Sequence, residues 1–188
     1  RLHNITPAMV SEQNARFERA VKMAVEEIKE ATAELQKHQT IDVSTILLFQ
    51  SMTLETDDFR DSVFLAIESG YSPEYGVQTY FRRTKAMLAG NPMLAAKITD
   101  LDHMERRVLR QLVGEAQRGL KDVQVPVILI ARDLDPTTTA ELPLDKVLGI
   151  ATDSGGETSH TAIVAASRNI PAVVGLGDIT QSVRNGDM

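Results

Sequence analysis

The chain reads as an α-helical unit followed by an α/β unit, a fold class indicated by a change in hydrophobic period near residue 123, by repeated cap-then-proline signals, and by three short apolar runs confined to the C-terminal third. Residues 6–123 are written in helical period and residues 124–188 in strand, loop and helix punctuation. The first part predicts four or five helices. Thr6-Pro7 offers a hydroxyl cap with proline at the first helical position, and Phe17, Val21, Ala24, Ile28, Ala31 and Leu35 then recur in steps of four and three, forming one apolar stripe. Ser72-Pro73-Glu74 and Asn91-Pro92 repeat the start signal, while Gly70, Gly90 and Gly114 fall near the ends of periodic segments. Antiparallel helices joined by short turns are the economical packing of such segments.

In the second part, Val125 to Ala131 is an apolar run rich in β-branched residues and reads as a buried strand. Asp135-Pro136 predicts the start of a short helix through Leu142, Val147 to Thr152 a second strand, Ser159 to Ser167 a helix, and Pro171 to Gly175 a third strand. A strand, loop, helix and strand in that order predict parallel strands with a right-handed crossover.

Composition narrows the function. A hydrophobic content of 43% over 188 residues can bury a core. The net charge of −6 argues against a polyanionic partner, so no nucleic acid is expected. There is no cysteine for a disulfide, a thiol nucleophile or a cysteine–zinc site. No apolar run reaches the roughly 20 residues that span a bilayer, so the chain is expected to be cytoplasmic, without a membrane partner. Beginning at Arg1 and stopping after Asn185-Gly186-Asp187-Met188, it reads as a piece of a longer protein.

The chemistry concentrates in Asp153 to Thr161, where a glycine pair, four hydroxyls and His160 lie between a strand and the first turn of a helix. Gly155 and Gly156 allow a sharp turn and close approach of a bulky group. Thr158 or Ser159 can cap the helix and hold a ring nitrogen, and the backbone N–H groups of a helix start favour a phosphoryl group. By spacing alone, His160 is better read as a solvated loop residue or a helix cap. A metal site is not expected, because His3, His38 and His103 all lie in the helical part. A serine hydrolase is not expected either, because adjacent Ser159 and His160 point in different directions on a helix.

The string Thr152-Asp153-Ser154-Gly155-Gly156-Glu157-Thr158-Ser159-His160-Thr161-Ala162-Ile163, with Asn169-Ile170-Pro171-Ala172-Val173-Val174-Gly175 after it, resembles the phosphohistidine motif of phosphoenolpyruvate-utilising enzymes. Ala131-Arg132-Asp133-Leu134-Asp135-Pro136 and Lys146-Val147-Leu148-Gly149 make the likeness strongest to the enzyme I family, the phosphoenolpyruvate-protein phosphotransferases of the sugar phosphotransferase system. Ile5-Thr6, Val10, Arg16-Phe17, Ala20, Met52, Leu54-Glu55, Asp58 and Arg106-Arg107-Val108-Leu109 extend it across the helical part.

The resemblance implies a helical subdomain inserted in a phosphohistidine-bearing swivelling α/β domain whose first strand would precede residue 5. It implies His160 as phosphoryl carrier, Thr158 as the hydroxyl that orients the imidazole, and Gly155, Gly156 and Ser159 around the phosphoryl group. It implies a histidine-containing phosphocarrier protein, or a paralogue of it, as partner. No cofactor is expected in this chain: magnesium would act in a C-terminal phosphoenolpyruvate-binding barrel, which would also provide homodimerisation. Departures from the pattern stand at Ala166, where the family has arginine and for which Arg168 is no simple substitute, and on the docking helices at Leu48, Gln50 and Asp102. The implied activity is relay of a phosphoryl group from phosphoenolpyruvate to the carrier. The alternatives are a non-catalytic docking module of the same fold, and the swivelling domain of a pyruvate phosphate dikinase or phosphoenolpyruvate synthase.

Overall fold

A computed structural model of the chain describes residues 5–37, 41–90, 94–114, 123–143, 145–157 and 159–187. Contacts divide it into two compact units, residues 1–28 with 49–116, and residues 29–48 with 117–188.

The first unit is helical. It contains the start of α1 (Val10–Lys37), the end of α2 (Ile41–Leu54), and all of α3 (Asp57–Glu68), α4 (Pro73–Leu88) and α5 (Ala95–Val113). The expected hydroxyl cap at Thr6 does not form. Pro7–Met9 is instead a 3-10 turn closed by the Met9 N–H on the Thr6 carbonyl at 2.8 Å, so α1 starts at Val10. Ser72 behaves as expected: its hydroxyl accepts from the Tyr75 N–H at 3.3 Å, with Pro73 at the first helical position. Thr56 caps α3 through the Phe59 N–H, and Gly114 ends α5 at φ +74°. Asn91-Pro92 lies outside the described residues.

Aromatic packing fixes this unit's centre. Phe17, Phe59 and Phe81 are fully buried, and Phe59 meets Phe17 edge-on and Phe81 at a tilt, both with 5.5 Å between centroids. Helices α3 and α4 approach closely at Gly76, where a Cβ would stand 3.0 Å from a Val63 methyl and 3.2 Å from Val63 Cα. Arg16 ties α1 to α4 and α5 by donating to the Glu74 carboxylate and, at 2.7 Å, to the Leu112 carbonyl. Glu27 accepts from Arg107 and Arg110, both at 3.0 Å.

The second unit holds a parallel sheet in the order β1 (Val127–Ala131), β2 (Val147–Thr152), β3 (Ala172–Val173). The paired part of β3 is shorter than the expected 171–175. Short α6 (Pro136–Ala140) follows β1, α7 (His160–Ser167) joins β2 to β3, and α8 (Ile179–Ser182) follows β3. Asp135 caps α6 as the sequence predicts, accepting from the Thr138 N–H at 3.0 Å, but the helix stops at Ala140 rather than Leu142. One sheet face buries Leu134, Leu142, Val147, Ile150, Ala165 and Ile170, with Leu129 and Ala131 against them. Ile128 and Val173, at alternate strand positions, are exposed. The core therefore anchors both ends of the β2–α7–β3 connection that carries His160.

Candidate functional site

The site is built at the carboxyl end of the sheet. Backbone pairing continues past the strands, with the Asp153 N–H on the Ala131 carbonyl at 3.1 Å and the Ser154 N–H on the Arg132 carbonyl at 2.9 Å. On the other side, Gly175 donates to the Ser154 carbonyl at 3.3 Å, Leu176 to Thr152 at 3.0 Å and Gly177 to Asp153 at 2.9 Å. The loop after β2 is thus held between the ends of β1 and β3. Buried Thr152 adds an internal tie, its hydroxyl donating to the Ser154 carbonyl at 2.7 Å.

Asp153 is buried at the centre of these ties. Its carboxylate accepts from the Thr180 hydroxyl and, at 3.0 Å, from the Thr180 N–H. Those two bonds, the hydroxyl's first, hold the carboxyl below the usual aspartate range, and the positive charge of Arg132 adds to the effect. Sequence reading placed Asp153 in the loop without giving it a role. The signal was weak, because its partner lies on α8, far along the chain.

Past Asp153 the chain turns at Gly155, at φ +110°, a conformation that side chains rarely tolerate. Among the described residues, nothing lies within 4 Å of where a Cβ on Gly156 would stand, so none of them closes this side of the loop. The Ser159 N–H closes the turn on the Gly156 carbonyl at 2.9 Å, and the Ser159 hydroxyl caps α7 by accepting from the Ala162 N–H at 3.3 Å. Of the two hydroxyls the sequence offered as cap, Ser159 fills the role; Thr158 lies outside the described residues. His160 is the first residue of α7 and is half-buried. Its neighbour Thr161 is buried and donates to the Leu134 carbonyl at 3.3 Å, while Val164 and Ala165 are fully buried. The imidazole thus projects from a helix start anchored on both sides.

Ala166 is exposed, and Arg168 lies at the far end of α7, where its N–H caps the Val164 and Ala165 carbonyls. Eight residues of helix put it about 12 Å from His160 along the axis. Burial lowers the Arg168 pKa, and the Glu34 carboxylate opposes that shift, so this cation faces α1.

The three docking positions fare differently. Leu48 is 55% exposed on α2. Gln50 is not on a surface at all: it is fully buried, and among the described residues neither atom of its amide has a hydrogen-bond partner. The cause is helical phase, since Val43, Leu47, Gln50 and Leu54 share one face of α2 and all are buried. Asp102 is half-exposed and accepts from Lys85 Nζ at 2.6 Å, while Glu105 accepts from the same ammonium at 2.6 Å. Burial disfavours the charge on Lys85, but these two carboxylates prevail and raise its pKa. Phe49 and Met52 are exposed on α2, with Lys97 Nζ 4.8 Å from the Phe49 ring centroid.

Two family models match this chain: the N-terminal domain of phosphoenolpyruvate-utilising enzymes over residues 1–97, and their mobile domain over residues 123–188. The chain belongs to the phosphoenolpyruvate-utilising enzymes. Within that family it is 36% identical over 166 residues to a phosphoenolpyruvate-protein phosphotransferase of Buchnera aphidicola, covering 87% of this chain and 28% of the relative. It is 32% identical over 186 residues to the phosphotransferase of that name from a Bacillus strain, covering 32% of that protein. The chain therefore spans about a third or less of the length of these curated relatives.

A solution structure of Enzyme I superposes with a TM-score of 0.79 at 31% identity, over all of this chain and 77% of that one. The N-terminal domain of nitrogen Enzyme 1 superposes at 0.66 and 24% identity, which supports the fold alone. The enzyme I resemblance read from the motif, and the helical plus α/β fold it implied, thus agree with sequence relatives and solved structures. Among the described residues no helix is long and apolar enough to cross a membrane, and no group of three or more histidine, aspartate and glutamate side chains could hold a metal ion.

Proposed function

We propose that this chain is the phosphoryl-carrying part of a phosphoenolpyruvate-protein phosphotransferase. In this reading His160 takes a phosphoryl group and exchanges it with a histidine-containing phosphocarrier protein docked on the helical unit. The observation that carries the reading is the placement of His160 as the first residue of a capped helix, beside a glycine pair in which a Cβ on Gly156 would meet none of the described residues. An imidazole nitrogen there attacks the donor's phosphorus in line. A new N–P bond forms as the donor's bond to phosphorus breaks, and the donor group leaves with the electron pair of that bond. The N-terminal end of α7, with the positive end of its helix dipole, suits the developing charge on the phosphoryl oxygens. Thr158 is proposed as the hydroxyl that orients the ring.

For docking on the helical unit, the reading uses the half-exposed Asp102 and leaves out Gln50, whose side chain is enclosed. With phosphoenolpyruvate as ultimate donor, the remaining two thirds of such a protein would hold it with magnesium. The test is incubation with a phosphorylated histidine phosphocarrier. Acid-labile phosphate should accumulate on the chain and disappear in His160→Ala; equal labelling of that variant would assign the phosphoryl group to another residue and end the proposal.

A further inference from the structure

We propose that Gly175, beyond β3, is a positioning residue for His160: having no side chain, it lets the segment after β3 close on the Gly155 carbonyl and fix the turn that starts α7. The proposal rests on the reading of His160 as carrier. A Cβ on Gly175 would stand 2.9 Å from the Gly155 carbonyl oxygen, closer than real Cβ contacts come. The obstacle is backbone, so it cannot swing aside as a flexible side chain would. Gly155 is confined from the opposite direction as well: its own Cβ would meet Ser159 Oγ at 3.2 Å and Val174 Cβ at 3.3 Å. Ser159 is the cap of α7, so a displaced Gly155 presses on the residue that fixes where the helix begins and which way His160 leaves it.

The segment is clamped to the loop at more than this one point. The Gly175, Leu176 and Gly177 N–H groups donate to the carbonyls of Ser154, Thr152 and Asp153, and Thr180 on α8 holds the Asp153 carboxylate. Asp153 is the second positioning residue. Its backbone links the ends of β1 and β3, and its side chain fastens α8 to the same point. The motif and the run after β3 therefore form one backbone unit, with the Gly155 carbonyl close against Gly175.

A glycine at φ +76° has a second explanation, because that backbone angle strains any other residue wherever it occurs. Gly186 separates the two. It has φ +94° and, among the described residues, nothing within 4 Å of its would-be Cβ, so Gly186→Ala carries the backbone strain without the contact. Imidazole and loop-amide NMR resonances should be compared for the wild-type chain, Gly175→Ala and Gly186→Ala, together with the rate of phosphate uptake from the phosphorylated carrier. Gly175→Ala should shift the His160 ring and the Gly155 and Gly156 amides and slow uptake at least about tenfold, whereas Gly186→Ala should leave the resonances in place and the rate within about twofold.

Unmoved His160 resonances in Gly175→Ala, or equal effects of the two variants, overturn the proposal. Should Gly175→Ala fail to fold, Thr180→Val serves instead: it removes the hydroxyl's bond to the Asp153 carboxylate and should move the same resonances, and no movement overturns the proposal. The ring resonances report positioning whether or not phosphate is taken up, while labelling of His160→Ala bears on the carrier reading alone.

Discussion

Gln50→Leu should stabilise the chain, although it replaces a residue where the family resemblance implies a partner contact. Gln50 is fully buried with neither amide atom hydrogen-bonded among the described residues, and Val43, Leu47 and Leu54 on the same face of α2 are apolar and buried. Leaving a buried polar group unsatisfied costs about 1–3 kcal/mol, and a volume-conserving replacement in a packed core gives back less than about 1.5 kcal/mol in strain. The expected net gain is about 1–2 kcal/mol. In a chain of this size each kcal/mol moves the midpoint of thermal unfolding by about 2–4 °C. Circular dichroism at a helix wavelength, or calorimetry, should show a midpoint raised by about 2–8 °C. Carrier binding should be unchanged, because the side chain reaches no surface. A midpoint lowered by Leu would show that the amide is satisfied in the folded protein and that the core placement argument is wrong; weakened binding without loss of stability would restore Gln50 to the docking face.

Three further outcomes follow from the packing and charge arrangement. Gly76→Ala should lower stability by about 1–3 kcal/mol on thermal unfolding despite alanine's better helix propensity, since the added Cβ meets both a methyl and Cα of Val63. Asp102→Arg, which introduces the residue the family resemblance implies, should destabilise by up to about 1 kcal/mol because it faces Lys85, and the double variant Asp102→Arg/Lys85→Glu should recover part of that in a double-mutant cycle. Asp153 has a depressed carboxyl pKa because the Thr180 hydroxyl and N–H bond its charged form, so its contribution is complete above about pH 4 and disappears as pH falls through the lower folded value. Urea unfolding should therefore find wild type more stable than Thr180→Val at pH 7, with the gap narrowing by pH 3; a gap independent of pH would mean that Thr180 acts through something other than the charge.

Much of the fold was legible because its signals are local. Ser72-Pro73 and Asp135-Pro136 act within one turn of the chain, and both hydroxyl or carboxylate caps form as the pattern predicts. Thr6-Pro7 carries the same signal, yet a 3-10 turn through Pro7–Met9 satisfies the first N–H from the Thr6 backbone and leaves the hydroxyl unused. The third strand was expected to run to Gly175, but only Ala172 and Val173 pair with β2. The residues beyond them spend their N–H groups on the His160 loop instead, an exchange that hydrophobic pattern cannot report.

The docking face shows how two readings of one sequence can conflict. Positions 43, 47, 50 and 54 of α2 follow the helical period, and that period alone places residue 50 among the buried ones. The family comparison, which aligns residue types and not helix phase, pointed outward. Here the periodicity governs, because rotating α2 to expose Gln50 would also expose Leu47 and Leu54 and lose roughly 1.5–3 kcal/mol for each.

Asp102 is different, since its half-exposed carboxylate is matched by Lys85 one helix away, so the acidic side chain is accommodated on the surface by an ion pair. For the histidine loop, the glycines, the cap and His160 were all readable from the motif, while the contact between Gly155 and Gly175 was not. It joins two residues twenty apart through the absence of side chains, and an absent atom leaves no mark in composition or period. The positions most informative about how His160 is aimed are therefore ones that carry no reactive group.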